Sequence, residues 1–151
     1  MLLRLLPSQV SSHWGVIKHA IEESLPPIAG GASDRMNNIL ESILIGTTDC
    51  WVSHNDNGTI DGLLLTRFVE DDCSKTRNLL IYCVYGFLQR SAKLAWLEGL
   101  KSLYKYAFSK NCHRIIGYTD VDSIIKFVKR VGGEAKYTFV SIPVGGRDES
   151  L

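Results

Sequence analysis

The sequence has few of the features that usually announce a chemistry. Its 4 cysteines, Cys50, Cys73, Cys83 and Cys112, include no Cys-x-x-Cys pair. A disulfide framework and a zinc knuckle are therefore unsupported, and the spacing of these cysteines from His54 or His113 does not suggest a metal site either. Charge of one sign is also missing: 17 basic against 16 acidic residues leave a net charge of +1, so no broad attraction to nucleic acid or anionic membrane is implied. No apolar run reaches the length of a membrane-spanning helix. The opening Met-Leu-Leu-Arg-Leu-Leu is too short for a signal segment and is followed at once by polar Ser-Gln-Val-Ser-Ser-His, which favours a first strand. There is no Gly-x-Ser-x-Gly elbow, no Gly-x-x-x-x-Gly-Lys phosphate loop and no His-Glu-x-x-His, nor any internal repeat or low-complexity segment.

What is present describes an ordinary globular chain. At 151 residues, 45% hydrophobic and 22% charged, it is long enough to bury a core as one domain over 1–144, with 145–151 as a tail. Cys50 and Cys83 fall inside apolar strand candidates, where a free thiol behaves as a small hydrophobe, so a reduced, cytoplasmic setting is expected.

Leu2–Leu6 reads as a strand stopped by Pro7. Ser8 is the expected cap of one helix over Gln9–Ser24, with Trp14, Ile17, Ala20, Ile21 and Leu25 on one face. A Pro-Pro…Gly-Gly loop follows. Ser33 or Asp34 then caps Arg35–Ile45, where Met36, Ile39, Leu40, Ile43 and Leu44 form a stripe.

Asp49–Asn55 and Thr59–Val69 pair through Asp56-Asn57-Gly58, a hairpin signal because Asn and Gly both tolerate positive φ. Glu70-Asp71-Asp72 marks a solvated turn, and Asn78–Tyr85 is apolar on both faces, as a central strand should be. A helix over Ser91–Lys110 presents Leu94, Leu97, Leu100, Leu103, Tyr104, Ala107 and Phe108, and the lysines among its aromatics read as snorkelling rather than base-stacking. Arg114–Tyr118 is a further strand. Asp120 or Asp122 caps Ser123–Val131, Gly132-Gly133 ends that helix, and Lys136–Val144 closes as a last strand.

The expected order is β-α-α-β-β-β-α-β-α-β, an α/β (α+β) arrangement with a mixed central sheet and helices on both faces. Within it, Val84-Tyr-Gly-Phe-Leu-Gln-Arg-Ser-Ala-Lys-Leu94 links a strand to a helix N-terminus, where unpartnered amides and the helix dipole favour phosphate. This order, and Gln89 standing five residues beyond Val84, resemble the GNAT (GCN5-related N-acetyltransferase) fold over nearly the whole chain. In that family a Gln/Arg-x-x-Gly-x-Gly/Ala loop holds the pyrophosphate of acetyl-coenzyme A. Here Gln89-Arg90-Ser91-Ala92-Lys93-Leu94 matches at Gln89, puts Ala92 and Leu94 in the glycine positions, and offers Arg90 and Lys93 as phosphate partners.

The resemblance implies a cofactor set of Gln89, Arg90, Ser91, Ala92, Lys93, Leu94 and Ala95, with Ile81, Cys83 and Val84 along the strand. It also implies a backbone donor at a bulge within Ile81–Val84. The family's thiolate-protonating tyrosine falls on Val128, which leaves Tyr118, or Tyr137, as the hydroxyl, and Glu70, Asp71, Asp72 or His54 as acceptor of the amine proton; Tyr118 and Glu70 are the pair taken forward. Two functions follow from the resemblance. One is an acetyl-CoA-dependent transferase acting on a small-molecule or protein amine. The other is a non-catalytic GNAT-like module that has lost cofactor binding and has a protein assembly partner, similar to divergent phage-encoded members carried near virion genes. A homodimer is compatible with either; neither needs nucleic acid, membrane or metal.

Overall fold

The computed structural model describes residues 1–86 and 92–145, with only the backbone given for 92–95. It divides into two compact units, Met1–Gly117 and Tyr118–Leu151. The first holds β1 (Leu2–Arg4), α1 (Pro7–Ser12), α2 (Trp14–Glu22), a 3₁₀ turn (Pro27–Ala29), α3 (Arg35–Leu44), β2 (Asp49–His54), β3 (Ile60–Asp71), β4 (Thr76–Tyr85), α4 (Ala92–Ser109) and β5 (Arg114–Gly117).

The first helix differs from expectation. Its first residue is Pro7, whose missing N–H costs nothing at that position, and Leu6 N–H donates to the Gln9 side chain at 2.7 Å, so Ser8 is not the cap. The helix breaks at His13. There the Ser12 hydroxyl bonds to Ser8 O and the His13 ring to Gln9 O, and side chains that compete for helix carbonyls weaken a helix already holding Ser11, Ser12, His13 and Gly15 within five residues. The apolar stripe survives the break: Ile17, Ala20 and Ile21 are buried, with Trp14 and Leu25 packed beside them.

The five strands lie in the order β1-β2-β3-β4-β5, antiparallel except for the parallel β4–β5 pair. One face of the sheet carries Cys50, Val52, Leu63, Leu65 and Cys83 against Val10, Ile17, Ile21, Met36 and Ile43 of the first three helices. The other carries Leu2, Trp51, Leu64 and Leu79 against Leu103 and Ala107 of α4. Each of these fully buried aliphatic side chains contributes roughly 1.5–3 kcal/mol. The stripe of α4 is narrower than expected: Tyr104 and Phe108 are 64% and 74% exposed and stack on each other, while Trp96 and Tyr106 pack toward the sheet. At 3.6 residues per turn, positions 96, 103 and 107 share a face that 104 and 108 only border.

The β2–β3 turn holds only Gly58 at positive φ (+78°), and Asn55 Oδ1 accepts from both Asn57 and Thr59 N–H. The expected Asp56-Asn57-Gly58 connection is thus a three-residue loop closed by a glycine, in which Gly58 has positive φ and Asn57 does not.

In the second unit, α5 (Asp122–Arg130) starts at Val121, whose N–H donates to Thr119 Oγ1 at 3.1 Å, so neither Asp120 nor Asp122 is the cap. Gly132 (φ +89°) and Gly133 end the helix as expected; a Cβ at Gly133 would lie 2.7 Å from Val128 Cγ1. Residues 136–144 are in no strand. Tyr137, Val140, Ile142 and Val144 are 92%, 76%, 77% and 99% exposed, and an alternating sequence alone supplies no partner for the N–H and C=O groups of a strand. The expected 146–151 part of the tail lies outside the described residues.

Candidate active site along the fourth strand

β4 has two dissimilar ends. From Asn78 to Ile81 it is paired on both sides, to β3 and, in register Asn78↔Arg114 through Ile81↔Gly117, to β5. The β5 ladder stops at Ile81, while β4 continues to Tyr85 with β3 as its ladder partner (Leu64↔Val84, Leu63↔Tyr85).

At the same point the β3–β4 register slips. Leu65 faces Cys83 but Thr66 faces Ile81, which leaves Tyr82 as an extra residue. A bulge turns side chains that would alternate onto one face, and here Tyr82 and Cys83 both pack with the cluster beneath α2 and α3. The bulge falls inside Ile81–Val84, where the resemblance places one. It was invisible to periodicity, because Leu79-Leu80-Ile81-Tyr82-Cys83-Val84 is apolar throughout.

Two neighbours fix this end. Thr66, fully buried opposite the bulge, accepts the Trp51 Nε1–H at 2.9 Å. Gly86 leaves β4 at φ +88°, and a Cβ there would sit 2.6 Å from Asp61 O, so the strand exits in close backbone contact with β3. Nothing in the sequence pattern singled out Gly86. Beyond it, Gln89, Arg90 and Ser91 lie outside the described residues. Ala92, Lys93, Leu94 and Ala95 form the first turn of α4 as backbone.

Of the strand residues, Ile81 packs toward α4, Val84 is 38% exposed, and Cys83 is buried, so its side chain belongs to the core. Burial pushes the Cys83 thiol up to about 11 and the Cys50 thiol to about 12. Both are inert packing groups, as the sequence suggests. Among the described residues no cluster of His, Cys, Asp and Glu has the makings of a metal site, and no helix is long and apolar enough to cross a membrane.

The carboxylates are not brought to the bulge. Glu70 faces Arg77 across the β3–β4 ladder, with Nε 3.4 Å from its carboxylate. At about 3.3 Å per residue, that places Glu70 roughly 16 Å along the strand from Tyr82, at the wrong end of the sheet. Asp71 is consumed by its turn: it accepts from Cys73 N–H and the Ser74 hydroxyl, which lower its carboxyl.

That far end is closed by aromatic and cationic packing. The Tyr106 hydroxyl donates to Asp49 at 2.6 Å and accepts from Arg4, and Arg77 lies 4.0 Å over Phe68. Burial and the Asp49 carboxylate push the Tyr106 phenol up to about 12. His54, in contrast, ends β2 on the side toward which β4 runs. Tyr118, which follows Gly117 in the chain, belongs to the second unit, where its ring meets Phe139 edge-on at 5.3 Å.

On the helical face beside the bulge is a cavity of about 190 Å³ lined by Asn38 and Ser42 of α3, Thr48, Leu65 and Arg67 of β3, and Tyr82. Sequence reasoning missed it, because its walls come from segments far apart in the chain.

No family profile and no curated protein matches this sequence. Solved structures do. One, described as a probable acetyltransferase, superposes with a TM-score of 0.69 at 12% identity, covering 97% of this chain and 99% of that one. AAC(6')-Iy, in complex with the bisubstrate analogue CoA-S-monomethyl-acetylneamine, gives 0.67 at 16% identity over 95% and 97%. Ribosomal-protein-alanine N-acetyltransferase from Brucella melitensis biovar Abortus 2308 gives 0.65 at 10% over 95% and 99%.

The fold is the GNAT fold. Identities this low establish architecture. Within the GNAT fold, the bulge and the end of the β5 ladder mark where this chain's own chemistry has to be sought.

Proposed function

We propose that the chain binds an acyl-coenzyme A along the flank of β4 beyond Ile81 and transfers the acyl group to an amine. The observation that carries this is the coincidence of two irregularities: the bulge at Tyr82 and the last β5 pair, Ile81↔Gly117. A strand that runs on past its neighbour offers an edge to any extended ligand bearing amides, and the two amides of a pantetheine arm suit that edge. The acetyltransferase relatives in fold, one of them bound to a coenzyme A-containing analogue, support the same reading.

The residues of the chain divide the work. Main-chain groups at the bulge would stabilise negative charge developing on a carbonyl oxygen, which is the costly feature of acyl transfer. The first turn of α4 and the segment before it, Gln89 to Ala95, would hold the diphosphate, with Arg90 and Lys93 as the charged partners. Val128 carries no proton, so the Tyr118 hydroxyl is assigned the proton that the departing sulfur takes up. When bound, the thioester supplies the activated acyl group.

Calorimetric titration with acetyl-coenzyme A, paired with mass detection of acetylated amine, tests the proposal. Micromolar to low-millimolar binding that weakens in Arg90→Ala is expected, as is turnover that falls about 10²-fold or more in Tyr118→Phe. Absence of binding at millimolar cofactor would overturn the proposal. That outcome, with a stable stoichiometric protein complex, would leave the non-catalytic assembly module as the function.

A further inference from the structure

We infer that the cavity beside the bulge is the acceptor site and that it selects a small amine bearing a carboxylate, anchored by Arg67. This inference rests on the acyl-transfer reading of β4.

Position gives the first argument. Tyr82, the bulged residue, and Leu65, the last residue in register before the slip, both line the cavity, so it adjoins the stretch of β4 proposed to hold the thioester.

Charge gives the second. Arg67 is the one lining residue ionised at neutral pH; the remaining walls are amide, hydroxyl and aliphatic, with no carboxylate. Other arginines of this unit are engaged: Arg4 with Asp49 and Tyr106, Arg77 with Glu70 and Lys110 O, and Arg35 with Gly30 O. Arg67 makes no ion pair or hydrogen bond among the described residues. Arg67 is exposed, and a solvent-accessible guanidinium on the wall of this mixed apolar and hydroxyl-lined cavity is matched by a planar carboxylate, which takes two parallel N–H donors at once. The Ser42 and Thr48 hydroxyls, 3.0 Å apart, add neutral hydrogen-bonding groups to the same wall.

Size gives the third. A volume of about 190 Å³ is below the roughly 300 Å³ at which drug-sized sites begin, which suits a group the size of an amino acid. The same lone positive charge opposes a polycationic amine, because no carboxylate in the wall would balance the additional ammonium groups.

The test compares each L-amino acid with its decarboxylated amine in acetyl transfer by the full chain. It is coupled to cofactor-free calorimetry with N-acetylglycine, the smallest product analogue that keeps the carboxylate. At least one amino acid should exceed its amine by about tenfold or more in kcat/KM. In Arg67→Gln that preference should disappear through KM, with N-acetylglycine binding lost; Arg67→Lys should recover part of both. Equal use of amine and amino acid, or an Arg67→Gln loss that falls on both alike, overturns the inference while leaving acyl transfer standing. N-acetylglycine binding that depends on Arg67 in a protein that binds no acetyl-coenzyme A does the reverse. Failure of N-acetylglycine to bind at millimolar concentration also overturns the inference.

Discussion

The two halves of β4 share one strand, yet they are paired in different ways. From Asn78 to Ile81 the strand is sewn to β3 and β5, its Leu79 is fully buried under α4, and Arg77 just before this stretch packs over Phe68. From Tyr82 to Tyr85 it is bulged, paired to β3 alone, and exposes Val84 and Tyr85 by 38% and 39%. Where every backbone group is in a ladder there is nothing left to offer a ligand. Where the ladder stops, the proposed recognition surface begins. The difference in pairing makes stability and the proposed function separable by position along a single element.

Mutations test that separation directly. Leu79→Ala in the closed half should cost about 2–5 kcal/mol in urea unfolding, whereas Val84→Ala in the open half should stay within about 0.5 kcal/mol. Equal costs would erase the contrast. Gly86→Ala brings a Cβ to 2.6 Å from Asp61 O at a φ that alanine disfavours, and a loss of about 1–3 kcal/mol is expected. Thr66→Val, at the seam between the halves, strands the buried Trp51 N–H and should cost about 1–3 kcal/mol; a silent substitution would mean that the seam is not held by that bond.

Alkaline titration adds a graded test. The thiols of Cys50 and Cys83 and the Tyr106 phenol all have folded values raised above their ordinary ones, to about 12, 11 and 12. As pH rises above 9, the unfolded chain releases the thiol protons while the folded chain keeps them. The folded state then binds more protons, and stability falls through the window from 9 toward 12. Thermal midpoints against pH should decline there, and at pH 8 a thiol reagent should label exposed Cys73 while sparing Cys50 and Cys83.

The smallest effect is expected at Glu70→Gln. Its side chain is 64% exposed and paired on the surface with Arg77, so stability should change by less than about 1 kcal/mol, and acetyl transfer by nothing. A large loss of transfer would return Glu70 to the reaction.

Much of the architecture was legible because burial imposes period. The stripe of Ile17, Ala20 and Ile21, the two-faced β4, and the glycine stop at Gly132-Gly133 all follow from local patterns. The misses share a different cause. The helix break at His13 depends on side chains capturing carbonyls, and the strand expected over Lys136–Val144 needed a neighbour that no local pattern specifies. The candidate site was the least legible. Arg67 and Thr48 meet Tyr82 only through tertiary packing, and a register slip inside a uniformly apolar run leaves no mark on the sequence. The resemblance supplied the place of the bulge; it took coordinates to show that β5 ends beside it.

The most direct test of the open-flank account is amide hydrogen exchange, resolved along β4, with and without acetyl-coenzyme A. The account predicts that the cofactor slows exchange across Tyr82–Tyr85 and leaves Asn78–Ile81, protected on both sides already, unchanged. Cofactor binding that leaves Tyr82–Tyr85 as fast as before would contradict it.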